Sequence, residues 1–150
     1  MNKRDKAILK LVSDASRLAA NVYLGTEYRP GMPYYEHCAR VAHAVIPFGY
    51  IYEATAYLHD IIEDKKGEIT LGDIDQYFGR DVGKAVAAIS RLPGETYSNY
   101  IVRVKKDTVA RRVNIADLEE NLLWGMAEVL PSPAFTLRRR YLGALAELLE

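Results

Sequence analysis

The segment ATAYLHDIIEDKK concentrates side chains that can bind a metal ion and move protons. It contains one imidazole and three carboxylates: His59, Asp60, Glu63 and Asp64. If the segment is one helix, residues four apart share a flank, which brings all four groups together. Three carboxylates so close repel one another unless a cation lies between them. The segment therefore predicts either a metal site or a solvated acidic surface.

Two more polar side chains stand among apolar residues at helical spacing. His37 lies in PYYEHCARVAHAV on the same row as Val41. Asp117 lies in ARRVNIADLEENLLW beside Val113 and Ala116. Burying a polar group or a charge without a partner is costly, so both side chains need a partner.

One divalent metal ion would satisfy these two side chains and the acidic segment together. The predicted ligands are His37, His59, Asp60 and Asp117. Mixed nitrogen and oxygen ligands favour a first-row divalent ion over calcium. We expect Mn²⁺, with Fe²⁺, Zn²⁺, Co²⁺ and Mg²⁺ as alternatives.

The elements that must position these residues are all predicted to be helices. Apolar residues recur at helical spacing, and Gly, Pro and polar stretches separate the segments, among them TEYRPGMP, which we interpret as a loop. The helices are predicted over 8–22, about 34–46, about 51–63, a short stretch after the capping box of Thr70 and Asp73, 82–89, 97–104, 108–124 and 132–149. Ser132 and Pro133 are predicted to open the last helix. The predicted fold class is all-α, a bundle of roughly seven to nine helices in a single domain, 1–150.

Composition argues against several classes of function. The chain has 150 residues and 49% hydrophobic content, enough for one ordinary domain with a core. Twenty Lys and Arg balance twenty Asp and Glu, so the charge excess typical of a nucleic-acid or membrane binder is missing. A single cysteine, no signal-like start and no long apolar run predict a cytoplasmic protein. The sequence leaves open whether the protein forms a homodimer.

Four ordered segments resemble a known family. ATAYLHDIIED resembles the AALLHDxVED segment of the RelA/SpoT-type alarmone hydrolase domains, and VNIADLEENL resembles their VKLADRLHNL. ITLGDIDQYFG is similar to TLxDIxxxFG, and PYYEHCARVA is similar to PYIxHPxxVA. The match spans roughly residues 28–123. The chain thus resembles the HD superfamily of metal-dependent phosphohydrolases, and the implied fold is an HD-domain helical bundle.

The resemblance implies roles for individual residues. The predicted ligands coincide with the metal ligands of the family: His37, His59, Asp60 and Asp117. Glu63 and Asp64 fall on the Glu-Asp pair that alarmone hydrolases use around the attacking water. We expect Glu63 to position or deprotonate the water and Asp64 to assist. The implied activity is removal of the 3'-pyrophosphate from guanosine (p)ppGpp, the alarmone of the stringent response.

Three further residues are implied in substrate binding. Asn121 falls on an Asn near the ribose, and Arg29 falls roughly on an Arg that packs against guanine. Arg91 replaces the Lys of a V-T-K segment and could face a phosphate. Near them the chain departs from the family, because Lys65 replaces a Thr and Pro30 stands where a Lys is common. The resemblance therefore supports the metal chemistry more strongly than the guanine specificity.

Two alternative functions stay open, and in both the ligand is a small-molecule nucleotide. One is an HD nucleotidase that acts on another nucleotide, and the other is a non-catalytic nucleotide-binding domain. Arg138, Arg139 and Arg140 are further candidates for phosphate binding, although three successive arginines are more typical of a solvated surface. Cys38, His43 and most of the tyrosines are interpreted as packing or surface residues.

Overall fold

The computed structural model describes the backbone of residues 1–125 and 132–150 and the side chains of 1–123 and 136–150. In these ranges the predicted all-α class is confirmed. The helices are α1 (Lys3–Val22), α2 (Tyr34–Val45), α3 (Tyr50–Leu58), α4 (Ile61–Asp64), α5 (Leu71–Phe78), α6 (Arg80–Ile89), α7 (Tyr97–Lys105), α8 (Thr108–Glu120) and α9 (Ser132–Leu149). A 3-10 turn, Ile46–Phe48, follows α2, and a π-helical turn, Asn121–Gly125, follows α8. None of the helices described is long and apolar enough to cross a lipid bilayer.

A short β-hairpin precedes α2, so the interpretation of TEYRPGMP as a plain loop was wrong. Strand β1 (Glu27–Arg29) pairs antiparallel with β2 (Met32–Pro33). Gly31 has φ +79° at the turn, a conformation that side-chain-bearing residues rarely adopt. The hairpin is fixed to α2 because the backbone N–H of Tyr34 donates to the carbonyl of Thr26 at 2.8 Å.

The segment predicted as one helix over 51–63 is interrupted at His59 and Asp60, so that prediction was wrong. Helix α3 ends at Leu58, and Asp60 has φ −103° and ψ −3° before α4 begins. On a continuous helix successive side chains diverge by about 100°. The interruption instead brings His59 Nε2 to 3.1 Å from Asp60 Oδ2. It therefore lets two consecutive residues face one point.

Helix α3 lies at the centre of the core. One cluster of buried apolar side chains joins α3 to α2, α6, α7, α8 and α9, and a second joins α3 to α1, α4, α5 and α6. Leu58 is fully buried in the second cluster, and burial of such a side chain contributes about 1.5–3 kcal/mol. Cys38 is also buried, and burial raises its pKa to about 12, which supports its interpretation as a packing residue.

Side-chain caps define the ends of several helices, as the sequence predicts for α5. The Thr70 hydroxyl accepts from the Asp73 N–H at 3.1 Å, and the Asp73 carboxylate accepts from the Thr70 N–H at 2.9 Å. The predicted capping box is therefore confirmed. Helix α9 begins at Ser132 as predicted, but the capping contacts of Ser132 and Pro133 lie outside the described side chains.

Gly83 of α6 packs closely on α5, so a side chain there requires the exposed Asp75 carboxylate to move and the backbones of the two helices to separate slightly. An added Cβ would lie 1.6 Å from Asp75 Oδ1 and 3.3 Å from Asp75 Cα. We expect Gly83→Ala to lower the free energy of unfolding by about 1–3 kcal/mol, since overpacking outweighs the better helix propensity of Ala. Urea unfolding would measure this change.

Gly143 of α9 provides the matched control for this substitution. Nothing lies within 4 Å of a Cβ added there. We expect Gly143→Ala to raise the free energy of unfolding by up to about 1 kcal/mol. Equal stabilisation by both substitutions would contradict the close approach of α5 and α6.

Candidate metal centre and cavity

The four predicted metal ligands converge where α2, the α3–α4 junction and α8 meet. His37, His59 and Asp60 each offer a ligand atom, and these atoms lie within 4.8 Å of one another. Asp117 Oδ1 lies 2.9 Å from His37 Nε2 and 3.2 Å from His59 Nε2. Both imidazoles are 1% exposed, whereas the side chains of Asp117 and Asp60 are 16% and 27% exposed. The carboxylates therefore form the open side of a buried cluster.

The hydrogen bonding of His59 shows which of its nitrogens faces the cluster. Nδ1 lies 2.6 Å from the carbonyl oxygen of Ala56, which can only accept, so Nδ1 carries a proton and donates it. Nε2 is buried and makes no hydrogen bond of good geometry to any described group, although two carboxylate oxygens lie within 3.2 Å. A nitrogen lone pair that faces two carboxylates is repelled unless a cation lies between them. The cluster therefore fits a divalent metal ion, held by an imidazole whose other nitrogen is fixed by the backbone.

The charges of the cluster couple metal binding to proton binding. Burial lowers the pKa of His59, but Asp60 and Asp117 outweigh it and raise the pKa well above its usual value. Burial raises the pKa of each carboxyl, yet the adjoining imidazoles lower both pKa values overall, with a hydrogen bond from Tyr34 also lowering that of Asp60. A proton on His59 thus neutralises the same carboxylates that a metal ion would. Proton and metal compete for one position.

Tyrosine hydroxyls hold two of the carboxylates of the acidic segment. Tyr34 donates to Asp60 Oδ2, and Tyr23 donates to Asp64 Oδ2 at 2.8 Å. Burial and the nearby carboxylates raise the pKa of both phenols, so that they remain neutral donors. Asp64 is therefore directed at Tyr23.

A cavity of about 330 Å³ lies over the metal-ligand cluster. Six predicted site residues line it: His37, Asp60, Glu63, Arg91, Asp117 and Asn121. The other lining residues are mainly aromatic: Tyr28, Tyr34, Tyr97, Tyr100, Tyr141, Asn114 and Leu118. A larger groove of about 560 Å³ between α1 and α5 contains none of the predicted site residues. The smaller cavity is therefore the candidate active site.

Three of the predicted residues do not line this cavity. His59 is buried beneath it, and Asp64 is turned to Tyr23. Arg29 lies at the end of β1 and is not among the residues of the cavity wall. The structure thus places Glu63 and Asp64, which are adjacent in sequence, in different surroundings.

The carboxylate of Glu63 is tied to the loop between α6 and α7. Its Oε1 accepts a hydrogen bond from the backbone N–H of Arg91. Desolvation raises the pKa of Glu63, although the Arg91 N–H partly opposes this. A raised pKa brings a carboxylate closer to the range in which it can accept a proton at neutral pH. Arg91 Nε donates to the carbonyl of Glu95 at 3.0 Å.

Helix α9 also reaches the cavity. Tyr141 contributes to its wall, and the Arg140 guanidinium lies 3.7 Å from the centroid of the Tyr97 ring. Arg138 and Arg139 are exposed. Of the three successive arginines, Arg140 therefore comes nearest to the cavity wall through its contact with Tyr97.

Sequence reasoning missed Asn114 and most of the aromatic wall. Asn114 is buried, lines the cavity and has an Nδ2 without a hydrogen bond to any described group. A signal was present, since Asn114 in VNIADLEENL takes the place of the Lys in VKLADRLHNL. Tyr28 stacks on His37 with ring centroids 4.4 Å apart and donates to Asn121 Oδ1 at 2.6 Å. Tyr28 lies in the unpredicted hairpin, so no helical pattern indicated it.

Comparison with known proteins identifies relatives of this chain. No family model matches the chain. It is 30% identical over 130 residues to the GTP pyrophosphokinase rsh of Brucella melitensis, and 27% identical over 127 residues to the bifunctional (p)ppGpp synthase/hydrolase SpoT of Escherichia coli. These alignments cover 74% and 76% of this chain. The chain is a RelA/SpoT-type homologue. It spans less than a fifth of the length of these relatives, 17% and 18%.

The fold of the RelA/SpoT-type homologue is similar to that of a solved structure of another protein. That structure belongs to a metazoan ortholog of SpoT and matches with a TM-score of 0.75 over 93% of this chain and 85% of that chain. Sequence identity is 17%, so the match concerns the fold alone. That protein is described as hydrolysing ppGpp and as having a role in starvation responses. The predicted HD-type helical bundle is confirmed.

Removal of Asp117 from the RelA/SpoT-type homologue should release the metal. Asp117 contacts both imidazoles, so we expect Asp117→Ala to weaken binding of Mn²⁺ by more than the roughly 10- to 100-fold typical of an outer-shell partner. Isothermal titration calorimetry and metal analysis after dialysis would measure this. Asp81→Ala, at an exposed carboxylate of α6, is the control and should bind like the unaltered chain. Undiminished binding by Asp117→Ala would place the metal elsewhere.

Metal binding at pH 7 should release protons, because Asp60 and Asp117 raise the pKa of His59 and a bound ion displaces the proton that they favour there. Calorimetry in two buffers of different ionisation enthalpy would count the protons. Binding without proton release would mean that His59 is already neutral at pH 7.

The same proton affects the stability of the metal-free protein. The folded pKa of His59 is raised, so its contribution to stability is complete below about pH 6.5 and declines as pH rises through the folded pKa.

Proposed function

We propose that this RelA/SpoT-type homologue is a metal-dependent phosphohydrolase that removes the 3'-pyrophosphate from (p)ppGpp-type guanosine nucleotides. One observation carries the proposal: His59 Nε2 faces two carboxylates beneath a cavity whose wall includes Glu63. The names of the Escherichia coli relative and of the metazoan structure both refer to ppGpp hydrolysis, which supports this choice of substrate.

In this proposal the metal is held by the buried cluster. Its ligands are His37, His59, Asp60 and Asp117. We propose Mn²⁺ as the ion, since the donors are two imidazoles and two carboxylates. When bound, a divalent ion lowers the pKa of water and offsets negative charge on the phosphoryl group.

The residues of the chain would then orient the water and the substrate. Glu63, held by the Arg91 N–H, accepts a proton from water as the oxygen attacks the phosphorus attached to the ribose 3'-oxygen. The bond between that phosphorus and the 3'-oxygen breaks, and the 3'-oxygen takes up the proton that Glu63 accepted, so that pyrophosphate is released and GDP or GTP remains with a free 3'-hydroxyl. Asp64 assists from outside the cavity wall, because its negative charge raises the pKa of Glu63 and so favours proton uptake there.

Substrate binding is proposed for two predicted residues of the cavity wall. The Arg91 guanidinium is fixed by the Glu95 carbonyl and binds a phosphate, for which a planar cation is well suited. The Asn121 Oδ1 accepts from Tyr28, and its Nδ2 lies 3.4 Å from Asp117 Oδ1. In the proposal, Nδ2 also donates to the ribose of the bound nucleotide. Asn114 offers a further donor, since its Nδ2 makes no hydrogen bond to the residues that the structure describes.

One observation favours hydrolysis of another nucleotide as the second candidate function. Arg29, the residue implied in packing against guanine, is not part of the cavity wall. Tyrosine rings line it instead, and an aromatic face can stack on any base. A nucleotide with a different base would therefore fit the same chemistry.

A product-resolved assay separates these candidates. The protein with added Mn²⁺ is given ppGpp, nucleoside mono- and triphosphates, and NADPH, with a chelator control. Pyrophosphate and GDP from ppGpp, abolished by the chelator, are the expected products. Cleavage of another nucleotide alone would favour the second candidate. Binding without any turnover would indicate a nucleotide-binding domain.

Glu63→Ala should separate turnover from metal binding. Glu63 lines the cavity and accepts from the Arg91 N–H, and it is not in the group of side chains whose ligand atoms converge, so we expect metal content to be unchanged. Turnover should fall by about 10²- to 10⁴-fold, the usual contribution of a general base. Glu68→Ala, an exposed glutamate five residues later, is the control. Loss of metal from Glu63→Ala would contradict this division of roles.

A further inference from the structure

The loop between α6 and α7, residues 90–96, positions two groups of the candidate active site. The backbone N–H of Arg91 binds Glu63, and the Arg91 side chain lines the cavity. The loop has no helix or strand of its own. Its conformation must therefore be fixed by contacts from neighbouring elements.

Arg103 of α7 supplies these contacts. Its Nε donates to Glu95 Oε2 at 2.8 Å and its Nη2 to Glu95 Oε1 at 3.0 Å, a bidentate ion pair. Nη2 also donates to the carbonyl of Ser90 at 2.6 Å. Nη1 donates to the carbonyls of Ala88 at 3.1 Å and Ala87 at 3.3 Å. One guanidinium thus binds the C-terminal end of α6 and both ends of the loop.

Glu95 transmits this constraint to the middle of the loop. Its Oε1 also accepts from the Leu92 N–H at 3.1 Å, and its carbonyl accepts from Arg91 Nε at 3.0 Å. Arg91 lies between these contacts. The orientation of its N–H toward Glu63 therefore depends on the position of Glu95.

The pair is unlike an ordinary surface ion pair. An isolated exposed pair contributes little, because two mobile side chains must be ordered in a solvent of high dielectric. The side chains of Arg103 and Glu95 are only 30% and 12% exposed, and a bidentate geometry fixes their relative orientation. The guanidinium also donates to carbonyls in the last turn of α6, where a helix leaves carbonyls without partners of its own.

We propose that Arg103 and Glu95 form a positioning pair that sets the Arg91 N–H against Glu63 and thereby orients the proton acceptor. Neither residue belongs to the cavity wall or to the metal ligands of the described chain. They act through the loop. The effect on turnover rests on the proposed function, whereas the effect on the loop does not.

The first test measures the loop directly and needs no substrate. Amide hydrogen exchange of Arg91 and Leu92 is followed by NMR in the protein loaded with Zn²⁺, which is diamagnetic and does not broaden the signals of nearby amides as Mn²⁺ does. We expect Arg103→Gln to accelerate exchange at both amides by about tenfold or more, since charge-assisted hydrogen bonds are lost. Amides within α2 and α8 should be unaffected. Glu95→Gln, which retains an acceptor oxygen, should give a smaller acceleration and serves if Arg103→Gln does not fold.

Lys105→Gln is the matched control from the same helix. Lys105 pairs with Glu147 of α9 at 3.3 Å and forms no hydrogen bond or ion pair with the loop among the described residues, so its loss should leave the exchange of Arg91 unchanged. Unchanged exchange in Arg103→Gln would overturn the proposal. An Arg91 amide that is unprotected in the unaltered protein would overturn it as well.

The second test asks whether the pair acts through Glu63. We expect Arg103→Gln to lower kcat by about tenfold with metal content retained, and to cause no further loss of kcat in a Glu63→Gln background. A general structural defect would lower kcat equally in both backgrounds, which would overturn the positioning role. If the unaltered protein cleaves no nucleotide, the proposed function fails, and amide exchange still decides whether the pair fixes the loop.

Discussion

One oxygen of Asp117 contacts two buried imidazole nitrogens, at 2.9 and 3.2 Å. The rest of the structure must hold these three groups in this arrangement. With Asp60 beside them, these groups repel unless positive charge lies at their centre. They come from α2, the α3–α4 junction and α8, so the three must be held in fixed relation. Two apolar clusters that share α3 provide this. The core thus supplies the rigidity that the charged cluster requires.

The elements were predicted well where local patterns decide them. Helical spacing, the Thr70 cap and the apolar rows around His37 and Asp117 needed no knowledge of distant contacts. The interruption at His59 was missed because apolar spacing continues through Leu58 and Ile61, with no Gly or Pro between them. At the end of α3 the imidazole contacts the Ala56 carbonyl, a bond between a side chain and the backbone that no spacing rule describes. Arg103 was missed for the same reason, since its partners are backbone carbonyls at the end of α6 and groups of the loop that follows it.

The two sides of the candidate site differ in how they are built. The metal side consists of residues on or beside core helices, where geometry follows from packing. The nucleotide side depends on a hairpin, a loop and the start of a π-helical turn, which bring Tyr28, Arg91 and Asn121 to the cavity. Loops tolerate substitution better than helices whose faces are buried. It is consistent with this that the departures from the family pattern at Pro30 and Lys65 fall on loops.

The metal ligands are also far apart along the chain, from His37 on α2 to Asp117 on α8. An unfolded chain cannot present them together, so an ion binds the native state selectively and stabilises it by mass action. Contacts that close so long a loop form late in folding. Interactions absent from the transition state slow unfolding and hardly change the folding rate. The supply of metal would therefore affect the lifetime of the folded protein as well as the proposed activity.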